Sequence, residues 1–103
     1  EKDIVVLPSY APWKAVLLDT QAKFVVYPSQ RGGYSAQVVP VSVEDNAARV
    51  PFPAGWAGKR EEELPEISGI PTLTFCHAGR FLISAATQQD AIEACRAAMR
   101  AAE

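Results

Sequence analysis

Thr87 and Asp90 form a capping box ahead of an apolar series, Ala91, Ile92, Cys95, Ala98, Met99 and Ala102, that recurs on one face of a helix. The opposite face carries Glu93, Arg96, Arg100 and Glu103. A helix divided in this way must lay its apolar side on a partner surface, and the rest of the chain offers short β-branched and aromatic runs punctuated by Gly and Pro. The predicted fold is therefore α/β (α+β): one compact domain over residues 1–103, a mixed or antiparallel sheet with helices packed on it. At 103 residues the chain is large enough for one hydrophobic core without disulfides or metals.

The elements are predicted in the order β-α-β-β-α-β-β-α. Ile4 to Leu7 is apolar throughout, as for a strand covered on both faces, and Pro8 ends it. Pro12 suits a first helical turn, and Trp13, Val16 and Leu17 share a face of a short helix reaching Asp19. Lys23 to Tyr27 and Tyr34 to Val43 read as a hairpin whose turn contains Gly32-Gly33. Between Glu44 and Gly55, Pro51 and Pro53 bracket Phe52 and exclude a regular helix, so this stretch is expected to cross the surface as a loop. Trp56 to Ile67 is predicted as an amphipathic helix with Glu61, Glu62 and Glu63 in its first turn and Leu64 and Ile67 on its apolar side. Thr72 to Cys76 and Phe81 to Ala85 form a second hairpin, with Gly79 available for its tight turn. The order of strands in the sheet is not readable from this pattern.

Ten Lys and Arg against twelve Asp and Glu give a net charge of −2, which excludes a basic footprint spread over the whole domain for duplex nucleic acid or anionic lipid. A local basic pocket is compatible with it. No apolar run approaches the roughly 18 residues of a membrane span. Cys76 and Cys95 have neither metal-knuckle spacing nor the density of a secreted disulfide scaffold, so reduced thiols and a cytoplasmic location are expected. The chain opens on Glu1 with no initiator Met and no signal-peptide pattern, which reads as a fragment or a trimmed chain.

His77, the single histidine, follows an apolar strand at the edge of a turn, where an imidazole can donate to a phosphate or serve as acid or base. Its plainer reading is a turn histidine satisfied by backbone groups. Strand alternation sends Cys76 and His77 to opposite faces, so they make neither a zinc site nor a thiol and base pair. The carboxylates from Glu61 to Glu66 fan around a short helix and read as a solvated face. Trp13 and Trp56 can stack on a base but more simply anchor the core. In Ser68-Gly69-Ile70-Pro71, Gly69 permits close backbone approach and Pro71 fixes the entry into the next strand.

Taken together, these pieces resemble the C-terminal domain of the MYG exonuclease family, a branch of the DHH phosphoesterase superfamily of metal-dependent hydrolases. The resemblance spans nearly the whole chain: Pro12-Trp13-Lys14, the hairpin ending Gln37-Val38-Val39-Pro40, Arg49 and Pro51, then Trp56-Ala57-Gly58-Lys59-Arg60. Its strongest block is Glu62-Glu63-Leu64, Ser68-Gly69-Ile70-Pro71, and Phe75, His77, Ala78, Phe81 and Thr87. The resemblance implies an accessory, substrate-binding domain whose catalytic partner, the N-terminal domain with the Asp-His-His motif, is absent from this chain. Mn²⁺ or Mg²⁺ would sit on that missing domain, and this chain would hold no cofactor, no metal and no catalytic residue.

The family pattern has a Gly-Gly pair shortly after the position of Phe81, followed by basic residues. This chain departs there: Ile83 and Ser84 occupy the Gly-Gly positions, Ala86 and Gln88 replace polar or basic residues, and Arg80 stands where a small residue is common. The candidate substrate-binding residues are Arg60, Ser68, Gly69, His77 and Arg80, with Arg80 supplying charge near the altered turn. The expected partners are a phosphorylated substrate or a single-stranded RNA or oligonucleotide, met through the full-length protein, and a second copy of the chain as a homodimer. The competing expectation is a stand-alone binding or dimerisation module that has lost the substrate loop. Catalysis by this chain alone is not expected, because one His and scattered Ser assemble no set of base, nucleophile and oxyanion donors.

Overall fold

The computed structural model describes residues 3–9, 12–18, 20–29, 32–42 and 47–101. Strands β1 (Ile4–Val6), β2 (Phe24–Pro28), β3 (Tyr34–Val38), β4 (Leu73–Cys76) and β5 (Leu82–Ala85) form one mixed sheet in the order β1-β2-β3-β5-β4. Only the β1–β2 pair is parallel. Helices α1 (Lys14–Leu17), α2 (Leu64–Ser68) and α3 (Gln88–Ala101) complete the α+β domain.

The main core lies between α3 and one face of the sheet. Alternation aims Phe24, Val26, Ala36, Val38, Ile83 and Ala85 at that face, where Ala91, Ala94, Cys95 and Ala98 meet them. The small side chains of α3 allow its backbone to lie close to the sheet. A smaller cluster, Trp13, Leu17, Ala22, Val25 and Val39, covers the opposite face at the β1 and β2 end. Leu82 and Phe75 belong to neither cluster.

α3 begins as predicted, but its capping box is only half made. The Asp90 amide donates to Thr87 Oγ1 at 3.1 Å, while the Asp90 carboxylate accepts from Thr72 instead, from the hydroxyl at 2.6 Å and the amide at 3.2 Å. The carboxylate is thus a tie between α3 and the start of β4. The predicted helical positions Ala102 and Glu103 lie outside the described residues.

Several expectations are corrected by packing. β1 is an edge strand with one neighbour; Ile4 packs into the main core and Val5 against the smaller cluster on the other face, as expected of a strand covered on both faces, and only its end at Val6 is 40% exposed. In α1, Trp13 and Leu17 are buried but Val16 is 67% exposed, so the buried pair is spaced four apart; Asp19 lies outside the described residues. β3 stops at Val38, and Pro40 makes an isolated bridge to Ala48; Val43 lies outside the described residues. The predicted surface loop does run over the surface in its described part, with Ala47, Pro51, Ala54 and Gly55 exposed, but it sinks two side chains into the core. Val50 and Phe52 are buried, with the Phe52 ring 5.3 Å from Phe24 and stacked on Trp56 at 6.2 Å. The buried Phe52 has its backbone N–H satisfied by the Arg80 carbonyl at 3.1 Å, and the prolines on either side bring no N–H of their own.

The helix predicted from Trp56 to Ile67 shrinks to α2. Trp56 closes a 3-10 turn at Ala54–Trp56, Glu61, Glu62 and Glu63 lie in turns ahead of the helix, and Pro65 sets its start. Leu64 is buried whereas Ile67 is 47% exposed, so the two do not share an apolar face. In the β4–β5 turn the left-handed residue is Arg80, at φ 63°, and not Gly79.

A bulge in β4 positions the sheet's open face. Leu73 pairs with Ala85 and Phe75 with Ser84, which leaves Thr74 as the extra residue. Leu73 and Cys76, three apart, are thereby both buried, and Phe75 and His77 turn to the other side.

Candidate functional site

The face of β3, β5 and β4 opposite α3 carries Ser35, Gln37, Ser84, Leu82, Phe75 and His77. The register Ser35↔Ser84↔Phe75 makes one row across it, and Gln37↔Leu82 with the His77 amide on the Leu82 carbonyl at 2.9 Å makes the next. Residues 58–60 run along the outer edge of β4. Gly58 N–H donates to the Cys76 carbonyl and Cys76 N–H to the Lys59 carbonyl, both at 3.0 Å, and Arg60 pairs with Phe75 in an antiparallel bridge.

That bridge puts the Arg60 and Phe75 side chains on one side, and the Arg60 guanidinium carbon lies 5.5 Å from the centroid of the Phe75 ring. No hydrogen bond or ion pair engages the Arg60 side chain among the described residues. Its neighbour Lys59 is paired with Glu63 at 3.4 Å. The contacts continue along the strand: the Phe75 ring meets His77 edge-on at 6.3 Å and 87°, and His77 packs on Phe81 at 4.3 Å. Arg60, Phe75, His77 and Phe81 thus form one cationic and aromatic stripe.

At the Arg60 end the stripe borders an open pocket of about 580 Å³. The β2–β3 turn closes one side with Ser29, Gly32 and Gly33, and Thr74, Ser84, Ala86 and Glu61 complete it. Gly33 is fixed there twice over. Its φ is +71°, and a Cβ would stand 2.5 Å from the Ala85 carbonyl oxygen.

His77 Nδ1 accepts the Gly79 N–H at 2.8 Å, so the neutral ring carries its proton on Nε2. Arg80 Nε donates to the Phe52 carbonyl at 2.8 Å, and Phe52 N–H donates to the Arg80 carbonyl at 3.1 Å, which ties the turn to the loop that buries Phe52. Ser68 and Gly69 lie elsewhere, at the end of α2. Ser68 Oγ donates to the Leu64 carbonyl at 2.6 Å and accepts from the Ile70 amide at 3.0 Å, while Gly69 caps the helix at φ 76°. Both line a shallow pocket of about 210 Å³ with Asp90, Glu93 and Arg100. The structure therefore brings Arg60 and His77 together, sets Arg80 one turn beyond them, and holds Ser68 and Gly69 apart.

Burial pushes the Cys76 thiol up from its ordinary 9.0 to about 11, an effect the nearby Arg80 charge partly offsets. It stays protonated at neutral pH and is no nucleophile. Of the Gly-Gly positions in the resemblance, Ile83 is a buried core residue and Ser84 alone reaches the pocket. Sequence reasoning passed over Phe75 and Ser84 as site residues, because the register that joins them to Arg60 is long-range. The described residues do not fit a divalent metal: no three of their His, Cys, Asp or Glu side chains converge, and the Asp90 carboxylate is already held by Thr72.

The architecture is a small α+β domain with one sheet face covered by α3 and, at the β3, β5 and β4 end, an opposite face bearing a cation, rings and hydroxyls. Residues 1–99 match the family model of the MYG1 exonucleases, described as uncharacterised protein family UPF0160, and the chain belongs to this family. It is 33% identical over 98 residues to the MYG1 protein of Dictyostelium discoideum, covering 87% of this chain and 30% of that protein. The MYG1 exonuclease of Homo sapiens is 33% identical over 96 residues, 85% of this chain and 26% of the relative. A MYG1 protein of Chlamydia pneumoniae is 40% identical over 79 residues, 77% of this chain and 26% of the relative. The chain thus spans between a quarter and a third of the length of these relatives. No solved structure gives a significant match. No helix among the described residues is long and apolar enough to cross a membrane.

Proposed function

We propose that this chain is the substrate-binding accessory domain of a MYG1-type, metal-dependent phosphoesterase or 3′–5′ exonuclease, and that it is not catalytic by itself. The observation that carries this reading is Arg60, an unpaired guanidinium held over Phe75 at the rim of a pocket whose other polar groups include the hydroxyl side chains Ser84 and Thr74. Such a set binds: it offers donors to a phosphate oxygen and a flat surface to a base. It contains no nucleophile with an adjacent base, since the Cys76 thiol is buried and His77 Nδ1 is occupied by the Gly79 amide. Metal-activated hydrolysis belongs in this proposal to a separate catalytic domain of the longer family proteins, the C-terminal placement being inferred from the resemblance to DHH phosphoesterases.

The test uses the 103-residue chain and fluorescein-labelled single-stranded oligoribonucleotides. The chain is expected to bind them, Arg60→Ala to weaken binding about tenfold, and Mn²⁺ to elicit no cleavage. Cleavage by the chain alone, or affinity indifferent to Arg60→Ala, overturns the reading. The departure at Ile83 and Ser84 favours one second reading, a stand-alone dimerisation module using the same open face. A monomer by sedimentation at high concentration removes it.

A further inference from the structure

The pocket speaks for a ligand with anionic and hydroxyl-bearing groups, but its charge does not suit a polyanion. Glu61 lines the same pocket as Arg60, Lys59 is spent on Glu63, and the chain carries a net −2. Arg60 is thus the one described cation on this face with no acceptor of its own, and counterion release from a single contact is a small driving force. The stripe is the larger asset. Arg60 and Phe81 stand at its two ends and Phe81 is 38% exposed, while between them Phe75 carries the guanidinium and meets His77 edge-on. A planar guanidinium seated on a ring and an exposed phenyl ring are both surfaces on which a nucleobase stacks.

We infer that the open sheet face grips a single strand through its bases rather than through its phosphates, with bases stacking on Phe81 and on the Arg60 guanidinium and only about one phosphate contacted. This inference rests on the substrate-binding reading above and names the mode of recognition at that site. Stacking of this kind is tolerant of sequence, because every base has a π face, and it is closed to duplex, whose bases are already stacked on each other.

The experiment compares labelled decaadenylate with an abasic ribose-phosphate decamer by fluorescence anisotropy on the 103-residue chain, across a salt series. Decaadenylate is expected to bind at least about tenfold tighter than the abasic strand, with a slope of log K against log salt near about −0.7, the value for one phosphate on a single strand. Phe81→Leu, which keeps an apolar side chain but no π face, and Arg60→Lys, which keeps the charge but no plane, are each expected to lose about tenfold for decaadenylate. Phe81→Leu, which touches no phosphate, should leave the abasic strand's affinity unchanged. Equal binding of the two strands with a slope steeper than about −2 overturns base recognition and leaves the substrate-binding reading standing. Preference for decaadenylate that survives both substitutions overturns the placement on this stripe, and failure of both strands to bind overturns the inference and the reading together.

Discussion

Arg49 is the residue whose replacement should damage this fold most for its size. Its guanidinium donates to four backbone carbonyls: Nη1 to Thr20 and Ala22, each at 2.7 Å, Nη2 to Leu18 at 3.0 Å, and Nε to Pro40 at 3.1 Å. These acceptors lie on the α1–β2 connection and on the segment after β3, so one planar fork braces two loops otherwise joined by the Val39 N–H bond to the Lys23 carbonyl and by the packing of Ala22 with Val39. Arg49→Lys keeps the charge but replaces the fork with a single ammonium that reaches one or two of the four oxygens. Losing two or three such bonds at about 1 to 1.5 kcal/mol each gives a destabilisation of about 2 to 4 kcal/mol. For a domain of this size that lowers the thermal midpoint by roughly 10 to 20 °C. Circular dichroism melts of the two proteins at one pH measure the difference. A midpoint within a few degrees of the parent would mean that water replaces the fork without cost, and the clamp would have no energetic content.

Two further substitutions test local claims. Gly33→Ala combines a left-handed φ with a Cβ on the Ala85 carbonyl, and should cost about 2 to 4 kcal/mol in urea unfolding. Gly32→Ala, at φ +96° but with open space around it, should cost only about 1 kcal/mol, and equal losses would remove the packing argument. For Cys76 the raised folded pKa fixes the sign: the contribution is full below pH 9 and is lost as pH rises toward about 11, because the unfolded chain ionises first. The loss amounts to about 2 to 3 kcal/mol, so stability should fall more steeply between those pH values in the parent than in Cys76→Ala. Parallel profiles for the two proteins would contradict the assigned cause.

The elements most legible in the sequence are those set by local rules. The Gly32-Gly33 turn, the amphipathic series of α3 and the burial of Trp13 and Trp56 depend on nearby spacing and on side-chain size, and the structure has them where they were expected. What stayed hidden depends on partners distant in sequence. Asp90 looked like half of a capping box, but Thr72 outcompetes the Thr87 amide for its carboxylate. Phe52 looked like a surface residue between two prolines, and only the approach of Phe24 and Trp56 makes it core. Gly79 looked like the strained turn residue, yet Arg80 takes the left-handed conformation because its backbone and Nε are both bound to Phe52. The stripe itself needs the bulge at Thr74 and the bridge from Arg60 to Phe75, neither of which leaves a periodic trace. Of the five candidate residues, Arg60 and His77 are linked through Phe75 of β4, which both approach, whereas Ser68 and Gly69 are absorbed in ending α2.

The proposed division between binding in this domain and chemistry in another is tested most directly in a family protein in which this domain is joined to the proposed catalytic one. The measurement is steady-state hydrolysis of a single-stranded oligoribonucleotide with Mn²⁺, parent against Arg60→Ala. A rise in KM of about tenfold with kcat held within about a factor of two is the predicted result, since a contact made equally in ground and transition states moves KM alone. A collapse of kcat at unchanged KM would place Arg60 in the reacting centre and contradict the account.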